Sequence, residues 1–129
     1  MRVLALDHGT ARCGCAISDP TGTVVRPLAT LEPPDLARIA ELASEHAVDR
    51  VVVGLPISLA GEETAQTGIS REFAATLAEL LEVPVETYDE RLTTAMATRS
   101  AHQGATGDPD SLAAAHLLEA YLAARGGDG

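Results

Sequence analysis

Four acidic residues occupy positions from which a folded chain could gather them. Asp7 closes the apolar run that begins after Arg2, Asp89 and Glu90 follow the run Val83 to Tyr88, and Asp110 falls just after the helix-starting pair Asp108-Pro109. Hard cations such as Mg²⁺ or Mn²⁺ prefer oxygen ligands and keep several waters, so a cluster of three acids suits them. Two such ions about 4 Å apart can activate a water and steady the leaving oxygen in an in-line attack on a phosphodiester, with no covalent protein intermediate. Zinc is poorly served, because the cysteines and histidines lack paired ligand spacing. Each acid also has a plainer explanation. An Asp before His8-Gly9 can stabilise a turn, Asp110 is favoured in a first helical turn by the helix dipole alone, and Glu90-Arg91 can be a solvated pair.

The elements that would position these acids follow from the apolar pattern. Arg2 to Asp7 and Cys13 to Ser18 read as strands joined through the turn-forming His8-Gly9-Thr10 stretch. Asp19-Pro20-Thr21-Gly22 is a turn signal. A third strand over Thr23 to Ala29 completes an antiparallel meander. After Pro33-Pro34, Leu36, Ile39, Ala40 and Ala43 carry the spacing of an amphipathic helix. Val51 to Leu55 is a short continuous apolar run, as a strand buried on both faces in a parallel arrangement requires. Ser58 to Gly68 reads as a loop, followed by a helix with the stripe Ile69, Phe73, Leu77, Leu80 and Leu81, then the strand Val83 to Tyr88. Leu92 to His102 is expected to be helical, and Gln103 to Gly107 a flexible loop. Asp108 is a good cap and Pro109 a good first residue for a last helix with apolar positions Ala114, Leu118, Tyr121 and Leu122. The expectation is an α/β fold with a mixed five-stranded sheet, three antiparallel strands and then parallel additions, flanked by helices. Placing the first strand beside the fourth or fifth would bring the acids together.

Composition narrows the class. The chain has 129 residues and 46% apolar content, enough for one core and so one domain, expected over 1–125 with a frayed glycine-rich tail at 126–129. Only 2% of residues are aromatic, so the core must be aliphatic. Cys13 and Cys15 would point to one face of a strand, where a mutual disulfide would be strained, and packing explains them. Apolar runs are far shorter than the ~18 residues of a membrane span and no cleavable leader opens the chain, so a cytoplasmic protein without a membrane partner is expected. The formal charge of −10 argues against a general nucleic-acid coat protein, whose affinity comes from phosphate neutralisation. All nine basic residues are arginine, however, the side chain best suited to forked phosphate contacts.

The stretch Leu4 to Thr10, followed by Arg12, Gly14 and Ala16, resembles the opening motif of the YqgF family, also called RuvX. That family also shows a strand ending in Val-Gly-Leu-Pro, then Gly, then Arg-x-Phe-Ala, matched here by Val53 to Pro56, Gly61 and Arg71 to Ala74. Its Asp-Glu-Arg-Leu-Thr-Thr motif stands at Asp89 to Thr94, and its closing pattern at Asp110-Ser111, Ala113-Ala114 and Tyr121-Leu122. The resemblance runs in order along nearly the whole chain. It implies a ribonuclease H-like fold related to Holliday-junction resolvases and a metal-dependent nuclease that matures the small-subunit ribosomal RNA precursor. Carried over residue by residue, Asp7, Glu90 and Asp110 become the catalytic, metal-binding acids, with Asp89 as an alternative neighbour. In an extended strand Asp89 and Glu90 point to opposite sides, so only one should reach the ions unless the strand has ended. Arg12, Arg71 and Arg91 are candidate phosphate clamps. Two departures stand out: His8 replaces an aromatic residue, and the loop before Asp110 lacks lysine.

The implied cofactor is Mg²⁺ or Mn²⁺, and the implied partner is nucleic acid, structured RNA ahead of branched DNA, with ribosomal particles behind it. Either a monomer or a homodimer fits, although junction resolution on two strands would require two sites and hence a symmetric dimer. Three other readings compete. The resemblance also permits a Holliday junction resolvase acting on branched DNA, and a non-catalytic RNA-binding ribosome-assembly factor that keeps the fold. Asp-x-Gly-Thr also opens the phosphate-binding hairpin of actin-like sugar kinases, which need a second nucleotide-binding lobe; an ATP titration without affinity dismisses that reading.

Overall fold

Val3 to Leu6 is apolar at every position because the strand it forms is covered on both faces. The computed structural model describes residues 1–58, 60–93 and 108–126. In it β1 (Val3–His8) pairs antiparallel with β2 (Cys13–Ser18), and β2 with β3 (Val25–Leu31), through a register shift between Cys15 and Ala16. On its other side β1 pairs parallel with β4 (Arg50–Leu55), which pairs parallel with β5 (Val85–Asp89), giving the order β3-β2-β1-β4-β5. The first strand therefore lies beside the fourth, in the middle of the sheet.

Alternation along the strands divides the core into two layers. Leu4, Leu6, Cys13, Cys15, Ile17, Val51 and Val53 face one way, against Ile39, Leu42 and Ala43 of α1 (Leu36–Glu45) and Ala74 and Leu77 of α2 (Ala65–Leu80). Val3, Ala5, Ala16 and Val52 face the other way, against Ala114, Leu117, Leu118 and Tyr121 of α3 (Pro109–Gly126). Both cysteines are buried and free, as packing residues. Leu118 is fully buried between α3 and the sheet. Leu118→Ala is expected to destabilise the fold by about 2–5 kcal/mol, read as a lower urea midpoint.

Several element boundaries differ from the sequence expectation, each for a local reason. Thr23 and Val24 donate their backbone N–H groups to the Asp19 carboxylate, which holds them in the turn and delays β3 to Val25. β5 likewise begins at Val85 rather than Val83, with Pro84 accepting from Val51 N–H. The expected loop 58–68 gives way at Ala65 to α2, capped by Thr64 and Thr67 in reciprocal hydrogen bonds. A threonine at the reciprocal position departs from the usual Ser/Thr-x-x-Glu signature. The buried face of α2 is Thr67, Ser70, Ala74 and Leu77, while Ile69 and Leu80 are exposed, so the expected stripe is rotated. Thr67 fixes that rotation by donating its hydroxyl to the Pro56 carbonyl.

Asp108 caps α3 as expected, accepting from Ser111 N–H at 3.0 Å and from the Thr30 hydroxyl on β3. α3 continues through Gly126, one residue into the expected tail. The helix expected from Leu92 begins as a 3-10 turn over Glu90–Thr93, and the remainder of that helix, with the loop at 103–107 and residues 127–129, lies outside the described residues.

Candidate active site

Asp7 lies near the end of the central strand with a glycine in register on each side. Gly14 on β2 is its cross-strand partner. On β4, Leu6 pairs with Val53, so Gly54 follows beside Asp7. All three share a sheet face with Ala5, Ala16 and Val52, the face covered by α3. α3 begins directly over Gly14: a Cβ there would coincide with the carbonyl of Asp110. On the opposite flank the Glu90 side chain lies over Gly54, where a Cβ would stand 2.6 Å from Oε1 and 2.9 Å from Cγ. Residues separated by more than a hundred positions are thus set around one aspartate by two missing side chains.

β5 ends at Asp89, and the chain turns into the 3-10 segment at Glu90. Tyr88, in register with Gly54, packs on the α3 face, so the pleat puts Asp89 on the other face and the residue after it back on the side of Asp7. Glu90 turns inward and hydrogen-bonds Asp7; burial, that hydrogen bond, and the charges of Asp7 and Asp89 push its carboxyl up to about 8. Asp89 instead accepts from Arg91 Nε at 2.9 Å and Nη2 at 2.5 Å, and the guanidinium holds its carboxyl below the usual range. Asp110, about one-third exposed, faces Arg12, whose Nε lies 3.1 Å from its carboxylate.

The structure therefore brings Asp7 and Glu90 into contact and seats the backbone of Asp110 against Asp7's neighbour on β2. Among the described residues no trio of His, Cys, Asp or Glu side chains converges closely enough to hold an ion. The donor set nevertheless suits a hard cation. It is all oxygen, and each acid answers a positive charge: a proton is favoured at Glu90 beside Asp7, and a guanidinium meets Asp110.

The three arginines are distributed unevenly. Arg12 and Arg91 adjoin the acids. Arg71 makes a forked pair with Glu63, at 3.0 and 2.6 Å, from α2 on the opposite face of the sheet, and among the described residues none of its hydrogen bonds or ion pairs reaches Asp7, Glu90 or Asp110. His8, read from sequence as a departure, stacks on Phe73 of α2 with centroids 3.9 Å apart and planes 20° apart. Burial lowers its pKa against the opposing pull of Asp7. Gly14 and Gly54 stand within the family motifs and carry no functional group of their own. The signal that assigns one is glycine inside an apolar strand, which marks a close approach of other atoms.

Residues 1–124 match the family described as RuvX: Holliday junction resolvase. A relative from Myxococcus xanthus, provisionally named pre-16S rRNA nuclease, is 40% identical over 95% of this chain and 87% of its own. One of the same name from Chloroflexus aurantiacus has the same identity and coverage. Among solved structures, Thermus thermophilus RuvC in complex with a Holliday junction substrate superposes with a TM-score of 0.67 at 19% identity, covering 98% of this chain and 97% of that one. The fold is therefore ribonuclease H-like, and no helix among the described residues is long and apolar enough to cross a membrane.

Proposed function

Because the chain belongs to the RuvX family, we propose that it is a metal-dependent nuclease that hydrolyses phosphodiester bonds in maturing the 5′ end of pre-16S ribosomal RNA during ribosome assembly in the cytoplasm. The observation that carries the reading is the Asp7–Glu90 pair, two partly buried carboxyl groups drawn together where the burial of charge is otherwise unfavourable. Asp7, Glu90 and Asp110 would hold Mg²⁺ or Mn²⁺, which when bound supplies an activated water and charge stabilisation at the leaving oxygen. For its part the chain must release the proton that burial and the neighbouring Asp7 favour at Glu90, and turn Asp110 away from Arg12. Arg12, once freed, can fork onto a nonbridging phosphate oxygen, and Arg91 can do the same on the other flank. Arg71 would contact substrate farther from the scissile bond. The pairing of all three with carboxylates, in a chain of charge −10, supports recognition of a shaped RNA over general affinity for polyanions.

A second reading is favoured by the family description and by the RuvC-like fold: resolution of four-way DNA junctions by a homodimer. The experiment offers purified protein, with Mn²⁺ or Mg²⁺, an RNA spanning the precursor ends and a four-way DNA junction in parallel. The expected result is cleavage of the RNA with the junction left uncut. Symmetric nicks near the crossover with intact RNA would overturn the RNA assignment in favour of resolvase. Tight RNA binding with neither substrate cut would favour an assembly factor.

A further inference from the structure

From Val51 to Leu55 β4 is apolar and buried, with Gly54 the single position lacking a side chain. No turn demands a glycine there, since Gly54 is not among the glycines with positive φ. What demands it is Glu90. A Cβ on Gly54 would meet Oε1 at 2.6 Å, Cγ at 2.9 Å and Cδ at 3.1 Å, so the whole carboxyl arm occupies the space a side chain would take. Gly14 plays a similar part on the other flank, but there the obstacle is the backbone of Asp110 and Ser111. An alanine at Gly14 would push against the start of α3 as a unit, whereas the three nearest atoms to an alanine Cβ at Gly54 all belong to one flexible side chain.

We infer that Gly54 is a positioning residue for the ion-binding site: by leaving its Cβ position empty it lets the Glu90 carboxylate lie flat on β4 and reach Asp7. The inference rests on the reading of Asp7 and Glu90 as ligands of Mg²⁺ or Mn²⁺, and it goes further in assigning a role to a residue with no functional group. Glycine is required at this point for what it omits, and any larger residue moves the carboxylate off the central strand.

The test is a double-mutant cycle between Gly54→Ala and Glu90→Ala, with Mn²⁺ affinity measured in the absence of nucleic acid by paramagnetic resonance of the free ion. Folding is followed by urea denaturation. Gly54→Ala alone is expected to weaken Mn²⁺ binding by about tenfold to a hundredfold, the range seen when a ligand's supporting residue is lost. In the Glu90→Ala background, where the arm is gone, the same substitution is expected to change neither Mn²⁺ affinity nor urea midpoint. A Gly54→Ala protein that fails to fold while the double variant folds also supports the inference. Wild-type Mn²⁺ affinity in Gly54→Ala overturns it. So does a loss that persists undiminished in the Glu90→Ala background, or failure of both variants to fold, because the glycine then serves the strand and not the carboxylate. Should Glu90→Ala alone bind Mn²⁺ as tightly as the wild type, the ligand assignment itself fails, and the role given to Gly54 falls with it.

Discussion

Asp7→Asn is expected to abolish cleavage while making the metal-free fold more stable above pH 8. The two halves of this result share one cause. Asp7 stands on the central strand, hydrogen-bonded to Glu90 and bordered by Gly14 and Gly54, so an amide of the same shape fits without displacing a neighbour. The substitution removes one negative charge from a pair held together at close range. Glu90, whose raised carboxyl owes part of its shift to that charge, then returns toward its ordinary value and ionises more easily. The unfavourable proximity disappears, and the urea midpoint rises. A divalent ion meanwhile loses a carboxylate at the point where two should converge. The rate should drop by more than the about hundredfold that loss of even a supporting residue costs a metal site. Single-turnover cleavage at saturating Mn²⁺, alongside urea denaturation with chelator, measures both. Wild-type cleavage by Asp7→Asn would remove the hydrolytic proposal, and a lowered midpoint would show that the pair stabilises the fold. Loss of function with gain of stability is the pattern expected where a site holds like charges together against their repulsion.

The second large effect is a dependence of stability on pH that runs opposite to the one most carboxylates produce. Glu90 has an ordinary value of 4.5 when the chain is unfolded and is pushed up to about 8 in the fold, chiefly by burial. Between those values the folded state retains a proton that the unfolded state has released, so raising the pH favours unfolding. Its stabilising contribution is complete below 4.5 and is lost as pH rises through 8. The slope has an upper limit of about 1.4 kcal/mol per pH unit, and because the carboxyl is only partly buried, solvent screening brings it below that limit. His8 acts in the other direction, since its lowered value makes the fold gain stability as pH rises through 6.5. Asp19, Asp89 and Asp108, whose carboxyls are all lowered by hydrogen-bonding partners, gain theirs at the acid end. Comparing wild type with Glu90→Gln cancels these. The difference in urea midpoint between the two proteins, measured with chelator, should shift against the wild type as pH rises from 4.5 to 8. Mn²⁺ should reverse the sign above pH 8 by binding the ionised pair in the folded state alone. A difference that stays flat across this range would mean that Glu90 meets water rather than Asp7.

Much of this arrangement was legible in the residues. The continuous apolar runs of β1 and β4 required strands covered on both faces, which fixed the layers, and Asp108-Pro109 marked the start of α3 to the residue. The acids were visible as acids. The meeting of Asp7 with Glu90 depended on strand order, and local pattern does not determine whether the first strand adjoins the fourth or the fifth. The choice between Asp89 and Glu90 depended on the phase of β5 against β4, and that register is set by tertiary pairing that a window of sequence does not contain. The rotation of α2 escaped for a related reason. Its buried face includes Thr67 and Ser70, which no hydrophobic count would place inside, while Ile69 and Leu80 remain in water. Arg71 looked equivalent to Arg12 and Arg91 as a forked donor, and only the assignment of helices to opposite faces of the sheet separates them.

The two flanks of Asp7 are built differently. Asp110 is carried on main chain that abuts Gly14, at the start of a helix docked across three strands, whereas Glu90 arrives as a long arm laid over Gly54. One flank is fixed by main chain and the other rests on the rotamer of one side chain. If these acids hold the proposed Mg²⁺ or Mn²⁺, a fit to either radius would require the displacement of a single carboxylate. The same asymmetry means that adaptation to a larger or smaller ion would begin at the tip of Glu90, leaving the sheet and the final helix as they are.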